Sequence, residues 1–109
     1  MSAEHHDEGK PPLADVPRSL LLAVAHVLKR SQDSGKYPRY NWREGAEYTR
    51  FASSALRHLM AWLDGQDMDH ESGLPHLWHA ATNIAFLVEW EDRRIGTDDR
   101  YGKEKSNAS

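Results

Sequence analysis

The spacing of the apolar residues is the feature that most constrains this chain, because it follows the helical period in three separate segments. Residues three or four positions apart share one face of an α-helix, and nowhere do apolar and polar residues alternate as they would along a half-buried strand. The sequence therefore predicts an all-α protein, a small antiparallel bundle of three main helices. The apolar positions are Leu20, Val24, Val27 and Leu28, then Tyr48, Phe51, Ala52, Ala55, Leu59, Trp62 and Leu63, then Leu74, Leu77, Ala81, Ile84, Leu87 and Val88.

Glycines and capping residues set the expected limits of the helices. The first should end near residue 31, the second should run from Glu44 to Leu63, and the third should reach about Arg93. Gly35 and Gly65 stop the first two helices, and Ser72 can cap the third. We predict a disordered tail over residues 1–13, a helical domain over 14–94 and a flexible polar tail over 95–109.

Composition limits the possible classes of function. A chain of 109 residues with 39% hydrophobic residues and a mean hydropathy of -0.81 forms one small domain with a thin core, so we expect a homodimer or higher oligomer. The net charge of -3 argues against binding to duplex nucleic acid, and the lack of cysteine excludes disulfides and thiolate metal sites. No stretch is apolar enough for a signal peptide or a membrane span, so we expect no membrane partner and a cytoplasmic location.

Three histidines form a candidate metal site. His76 and His79 share one face of the third predicted helix, and antiparallel packing would bring His58 of the second helix towards them. Imidazoles combined with carboxylates suit Mn, Fe, Co or Zn, and also Mg where carboxylates dominate. The connecting loop carries three acidic residues to the same end, namely Asp67, Asp69 and Glu71.

The predicted metal ligands are therefore His58, His76 and His79, with Asp67 or Glu71 as the acidic partner. The alternative is that the histidines are hydrogen-bonded core residues and that the acidic run is a solvated loop.

Arginines and aromatic residues supply groups that a phosphate ester and a base would need. Arg43, Arg50 and Arg57 lie just before or along the second helix, and guanidinium groups suit phosphate oxygens. No Walker loop, Gly-x-Ser-x-Gly or His-Glu-x-x-His sequence is present, so hydrolysis would depend on metal-activated water. The aromatic residues ahead of the second helix can stack on a base or, alternatively, close one end of the bundle: Tyr37, Tyr40 and Trp42.

Two runs of sequence resemble the N-terminal domain of the phage dATP/dGTP diphosphohydrolases. The resemblance covers roughly residues 20–90. It implies hydrolysis of a purine deoxynucleoside triphosphate to the monophosphate and pyrophosphate. The runs are Lys36-Tyr37-Pro38-Arg39-Tyr40-Asn41-Trp42-Arg43-Glu44-Gly45, and the region from Ala55 to Asn83 that contains Arg57-His58, Gly65-x-Asp67-x-Asp69-x-Glu71 and His76-x-x-His79.

That family is related to the MazG-like all-α nucleotide pyrophosphatases, whose metal set is Glu-x-x-Glu…Glu-x-x-Asp on two adjacent helices. In this chain His76-x-x-His79 resembles the second half of the set, with imidazoles in place of acids, which favours a softer ion than Mg. Glu44-x-x-Glu47 has the spacing of the first half, whereas His58 falls where that half would end. Both possibilities for the first half stay open.

The resulting hypothesis is a phage-encoded or prophage-derived enzyme with Mn, Co or Mg as cofactor. A non-catalytic helical module that binds nucleotide or a partner protein is the main alternative. A phosphohydrolase of the HD type, which releases triphosphate, is a third, and its His-Asp pair occurs only as His6-Asp7. The predicted catalytic residues are Glu47, Arg50, Arg57 and Asn83, and the predicted substrate-binding residues are Tyr37, Tyr40, Asn41, Trp42 and Arg43.

Overall fold

The computed structural model describes residues 8–35, 39 and 41–103. No strand forms within these ranges, and the predicted all-α bundle of three main helices is confirmed. None of the described helices combines the length and the apolar character that crossing a bilayer requires. The helices are α1 (Arg18–Asp33), α2 (Tyr48–Leu63) and α3 (His76–Arg93), and short 3-10 turns over Leu13–Asp15 and Asn41–Glu44 precede α1 and α2.

Helix α3 is central, because it packs against both α1 and α2. The start of α2 contacts the end of α3, and His58 near the end of α2 stacks on His79 near the start of α3. Helix α2 is therefore antiparallel to α3. Helix α1 approaches α3 from another side, where the His26 ring stacks on Trp78 with a centroid separation of 5.1 Å.

The core concentrates at the end of the bundle where α2 begins and α3 ends. Trp90 is only 1% exposed, and its indole N–H donates to the carbonyl of Trp42 at 2.6 Å. The rings of Tyr48, Phe51 and Phe86 surround it, with centroids 4.8 to 6.3 Å from that of Trp90. Such stacked and edge-on pairs add stability beyond the apolar area they bury, so this aromatic cluster is a main support of the fold.

The segment after α3 is attached to the start of α2. The Thr97 carbonyl accepts a hydrogen bond from the Tyr48 N–H, and the Thr97 N–H donates to the carbonyl of Ala46, both at 3.0 Å. The Asp99 carboxylate accepts hydrogen bonds from the N–H and the hydroxyl of Thr49, at 2.9 and 2.7 Å, in the manner of a helix cap. Part of the segment predicted as a flexible tail over residues 95–109 is therefore bonded to the bundle, and Arg100 adds an ion pair with Glu91 of α3 at 3.9 Å.

Two glycines make this attachment possible. Gly45 and Gly96 have φ angles of 77° and 84°, and a Cβ atom on Gly45 would lie 2.6 Å from the backbone nitrogen of Gly96. Since residue 45 interrupts the helical path, α2 begins at Tyr48 and not at Glu44 as predicted. Glu44 is the last residue of the 3-10 turn and Glu47 directly precedes α2, so their spacing does not place them on one face of an α-helix.

Candidate functional site

The loop between α2 and α3 is bonded to itself and to the first turn of α3. The N–H of Asp69 donates to the carbonyl of Leu74, and the N–H of Gly73 donates to the carbonyl of Asp69, both at 2.8 Å. The N–H of His76 donates to the carbonyl of Asp67, also at 2.8 Å. These bonds hold the middle of the loop beside the start of α3.

Asp69 is the acidic residue that this loop directs towards the helices. Its carboxylate accepts a hydrogen bond from the N–H of Ser72 at 3.0 Å and lies 3.6 Å from Nε2 of His79. Burial opposes ionisation of Asp69, but hydrogen bonds from Ser72 and the nearby His79 outweigh it and lower the pKa of the carboxyl. The carboxylate is therefore in the ionised form that binds metal.

Three histidine rings gather around that carboxylate. The Nδ1 atoms of His58 and His76 are 2.9 Å apart, and the His58 ring stacks on His79 with a centroid separation of 4.7 Å. Nε2 of His79 lies 2.6 Å from the hydroxyl of Ser72. His76 is buried, and the other two rings are half-buried. We call the group formed by His58, Asp69, His76 and His79 the histidine cluster.

The surroundings of the cluster favour neutral imidazole. Burial lowers the pKa of both His58 and His79, because a less polar environment disfavours the charged ring. His79 lowers the pKa of His58 further, while the Arg30 guanidinium lowers that of His79 against the opposing effect of Asp69. Neutral imidazole has the free lone pair that a metal ion requires.

The donor set fits a divalent transition-metal ion. Ligand atoms of His58, Asp69 and His76 all lie within 4.8 Å of one another. Imidazole nitrogen with carboxylate oxygen is a ligand combination that Mn, Fe, Co and Zn accept, whereas Mg prefers oxygen ligands. The facing Nδ1 atoms of His58 and His76 lie within hydrogen-bonding distance of each other, so both can approach the same cation.

The histidine cluster borders a cavity of about 760 Å³ between the three helices. Cavities of about 300 to 1,000 Å³ are typical of small-molecule sites. Both charged and aromatic side chains face it, so the cavity offers separate surfaces to the ionic and the planar parts of a ligand. The polar wall includes Arg30, Asn41, Arg50, Ser54, Glu71, Ser72 and Asn83, and the apolar wall includes Val27, Trp42, Phe51, Phe86 and Trp90.

Seven of the fourteen residues predicted for the site line this cavity, and His76 adjoins it through the histidine cluster. The three predicted histidines meet in the cluster, and Asn41, Trp42, Arg50 and Asn83 line the wall. Glu71 also borders the cavity, and its carbonyl accepts a hydrogen bond from Arg30 at 3.2 Å.

Other predicted residues lie elsewhere. Asp67 and Arg57 are exposed and do not line the cavity, and Glu47 pairs with Thr97 through its backbone. The guanidinium of Arg43 lies over the Trp42 ring, 5.4 Å from its centroid. The predictions for Tyr37 and Tyr40 fall outside the described residues.

Several cavity residues were absent from the predicted set, among them Asp69, Arg30 and Ser54. Asp69 reaches the histidines where Asp67 or Glu71 was expected. Its side chain accepts a hydrogen bond from the N–H of Ser72, three residues further on, and no spacing in the sequence distinguished it from its acidic neighbours. Arg30 comes from α1, and no local spacing links it to the site. Ser54 accepts a hydrogen bond from the amide of Asn83 at 3.0 Å. It precedes His58 by four residues, and this helical spacing could have placed it on the same face as that histidine.

These features define a small all-α protein with a histidine–carboxylate cluster beside a small-molecule cavity. Residues 2–100 match the family model of the dATP/dGTP diphosphohydrolase N-terminal region, and the chain belongs to that family. It is also 33% identical over 100 residues to a dATP/dGTP diphosphohydrolase of Salmonella phage PMBT28. That match covers 92% of this chain and 33% of the relative, so the chain spans about a third of the relative's length. No solved structure matches the chain.

Proposed function

We propose that this protein hydrolyses a purine deoxynucleoside triphosphate, dATP or dGTP, to the monophosphate and pyrophosphate with the help of a divalent metal ion. The observation that carries the proposal is that one cavity combines a metal-type donor set, two arginines and an aromatic wall. The printed name of the phage relative supports the substrate class. As a phage or prophage product, the protein would act in the cytoplasm of the host.

His58, Asp69 and His76 would hold the metal ion, with His79 next to them. A divalent ion supplies positive charge to phosphate oxygens and lowers the pKa of a water molecule. The donor set favours Mn or Co over Mg. Ser72 supports the arrangement from the loop, because it contacts both Asp69 and His79.

Two arginines would bind the phosphate chain. Arg30 of α1 and Arg50 of α2 both line the cavity. Guanidinium groups donate paired hydrogen bonds to phosphate oxygens and stabilise the charge that develops on a leaving pyrophosphate. In the proposed reaction, water attacks the α-phosphorus and the bond from that phosphorus to the bridging oxygen breaks.

The remaining walls would position the nucleoside. The amide N–H of Asn83 donates a hydrogen bond to Ser54. This bond orients the Oδ1 atom of Asn83 as an acceptor for a sugar hydroxyl. Trp42 stacks on Phe86 with an interplanar angle of 14° and forms an apolar wall for the base, and Asn41 adds hydrogen-bonding groups. Tyr37 and Tyr40 remain predicted contacts of the base.

A second candidate is a nucleotide-binding module without catalysis. The observation that favours it is the length of the match, since the chain corresponds to an N-terminal region and to a third of the relative. Such a module would use the arginines and the aromatic wall without turnover.

Product analysis separates these functions. A panel of dNTPs and NTPs should be incubated with Mg, Mn or Co and with wild type, His58→Ala or the matched control His70→Ala, whose side chain lies outside the cluster. We expect pyrophosphate from dGTP or dATP with wild type and His70→Ala, and none with His58→Ala. Triphosphate as the product would support the HD-type reaction. Nucleotide binding by folded wild type without turnover would support the module.

A further inference from the structure

One side of the α2–α3 pair is apolar and exposed, and it faces away from the cavity. Its members expose 39% to 69% of their surface, which is unusual for large apolar side chains in such number. We call this surface the outer apolar face. It consists of Leu56, Leu59, Met60 and Leu63 on α2 and of Leu77, Ile84 and Val88 on α3.

Helical geometry separates the outer apolar face from the histidine cluster. Because successive residues turn by about 100°, Met60 points roughly 160° away from His58 on the same helix. Helix α1 lies on a different side of α3, where His26 stacks on Trp78. Within the described residues, no element covers the outer apolar face, as its exposure demonstrates.

We propose that a second copy of this chain covers the outer apolar face, so that two α2–α3 pairs form a four-helix layer. The exposed parts of its seven side chains amount to roughly 600 to 700 Å², close to the ~800 Å² that each partner buries in a standard interface. A two-fold axis lets the same face serve both copies. The proposal does not depend on the proposed hydrolysis.

A hollow in this face suits a side chain of the partner. Tyr48, Ala52, Ile84, Leu87 and Val88 line a space of about 170 Å³ between the two helices. It stays open because Ala52 ends at its methyl group. This volume is below the ~300 Å³ of typical small-molecule sites, whereas a leucine or methionine from a facing helix would fill it as a knob fills a hole.

The composition of the bundle also favours a second copy over other occupants. In the described residues, only five apolar side chains are buried, so pairing would supply core that one chain lacks. Glu91 and Arg100 both border the hollow and lie 3.9 Å apart, so this part of the face has no excess of positive charge, and the net charge of the chain is -3. Neither feature favours an anionic membrane as the occupant. The buried apolar residues are Ala23, Val27, Tyr48, Ala55 and Trp90.

Light scattering after size exclusion tests the proposal at 5 to 100 µM protein. Met60→Glu places a charge in the outer apolar face, and Leu21→Glu is the matched control on α1, where Leu21 is 65% exposed. We expect a dimer mass for wild type and Leu21→Glu, and a monomer with unchanged circular dichroism for Met60→Glu. A wild-type monomer at 100 µM would overturn the proposal, as would dissociation by Leu21→Glu but not by Met60→Glu. Sedimentation of a monomeric wild type with anionic vesicles would assign the face to a membrane instead.

A second variant tests the hollow itself. Ala52→Leu fills the space from within the chain, so we expect the dissociation constant of the dimer to rise at least about tenfold while the monomer stays folded. Ala25→Leu on the exposed side of α1 is the control and should leave the constant unchanged. Unchanged dimerisation of Ala52→Leu would contradict the packing. Both experiments measure the association of the chain and not its activity. Their results therefore apply even if the protein hydrolyses no nucleotide.

Discussion

The two ends of the α2–α3 pair contain different kinds of side chain. At one end Trp90 is almost fully buried among aromatic rings, and Thr97 and Asp99 bond to the start of α2. At the other end, polar rings and the Asp69 carboxylate gather beside the cavity. Apolar burial supports the fold at the aromatic end, whereas the histidine end carries groups that can bind ligands. The aromatic end also borders the cavity through Trp42, Phe86 and Trp90, so the two ends should differ mainly in how far substitutions lower the stability.

The largest expected effect is on stability at the aromatic end. Trp90→Ala should lower the free energy of unfolding by about 3 to 5 kcal/mol, because it removes a large buried ring and leaves the Trp42 carbonyl without its donor. His58→Ala should cost clearly less, since its ring is half-buried and touches mainly polar groups. Urea denaturation followed by circular dichroism measures both. Equal decreases in the free energy of unfolding would contradict the difference between the two ends.

The attachment of the C-terminal segment can be tested with a pair of glycines. Gly45→Ala should destabilise by about 2 to 4 kcal/mol, because its φ is positive and the new Cβ would meet Gly96. Gly35→Ala has a similar φ of 73° but open space, so it should cost only about 1 to 2 kcal/mol. Thermal unfolding compares them. Equal costs would mean that the close approach of residues 45 and 96 contributes little.

At the histidine end, replacing Arg30 should weaken substrate binding without lowering the stability of the fold. Arg30→Gln removes a guanidinium from the cavity, so KM for the triphosphate should rise about tenfold, the usual size of a charged hydrogen bond. The melting temperature should stay the same, because Arg30 is exposed. Arg18→Gln, on the same helix but away from the cavity, is the control. A KM unchanged by Arg30→Gln would remove Arg30 from the phosphate site.

The smallest expected effect concerns pH at the aromatic end. Hydrogen bonds from the side chain and the N–H of Thr49 lower the pKa of Asp99. Because the pKa of this carboxyl is lower in the folded state than in the unfolded state, where it is about 3.9, the ionised group stabilises the protein above that pH. The stabilisation is lost as the pH falls through the pKa of the folded state. The melting temperature of Asp99→Asn should therefore be a few degrees below that of wild type at pH 7. The difference in melting temperature should be smaller at pH 3. Asp92→Asn, exposed on α3, is the control. A gap that is equally large at both pH values would contradict the role of the Asp99 charge.

The helices were predictable because their packing repeats with the helical period. The meeting of His58 with His76 and His79 followed from antiparallel packing across a short loop. The contacts of residues 95–99 were not predictable, because they are mostly backbone hydrogen bonds, which leave no pattern in the side chains.

The acidic member of the cluster depended on the path of the loop. Asp67 and Asp69 are two residues apart and chemically identical, yet Asp67 is exposed while Asp69 turns inward through its bond to Ser72. Only the loop structure distinguishes them. Arg30 joins the site across 41 residues from Glu71, so it required the packing of α1 on α3.

Calorimetric titration with Mn²⁺ or Co²⁺ shows whether the histidine cluster binds a metal ion. Wild type, Asp69→Asn and the matched Asp67→Asn should be compared, all with His5 and His6 replaced by alanine so that the N-terminal histidines do not contribute. We predict one bound ion for wild type and Asp67→Asn, and an affinity at least about 100-fold lower for Asp69→Asn, since even residues that only support ligands can contribute up to that much. Equal binding by the two variants, or no binding by folded wild type, would contradict the account.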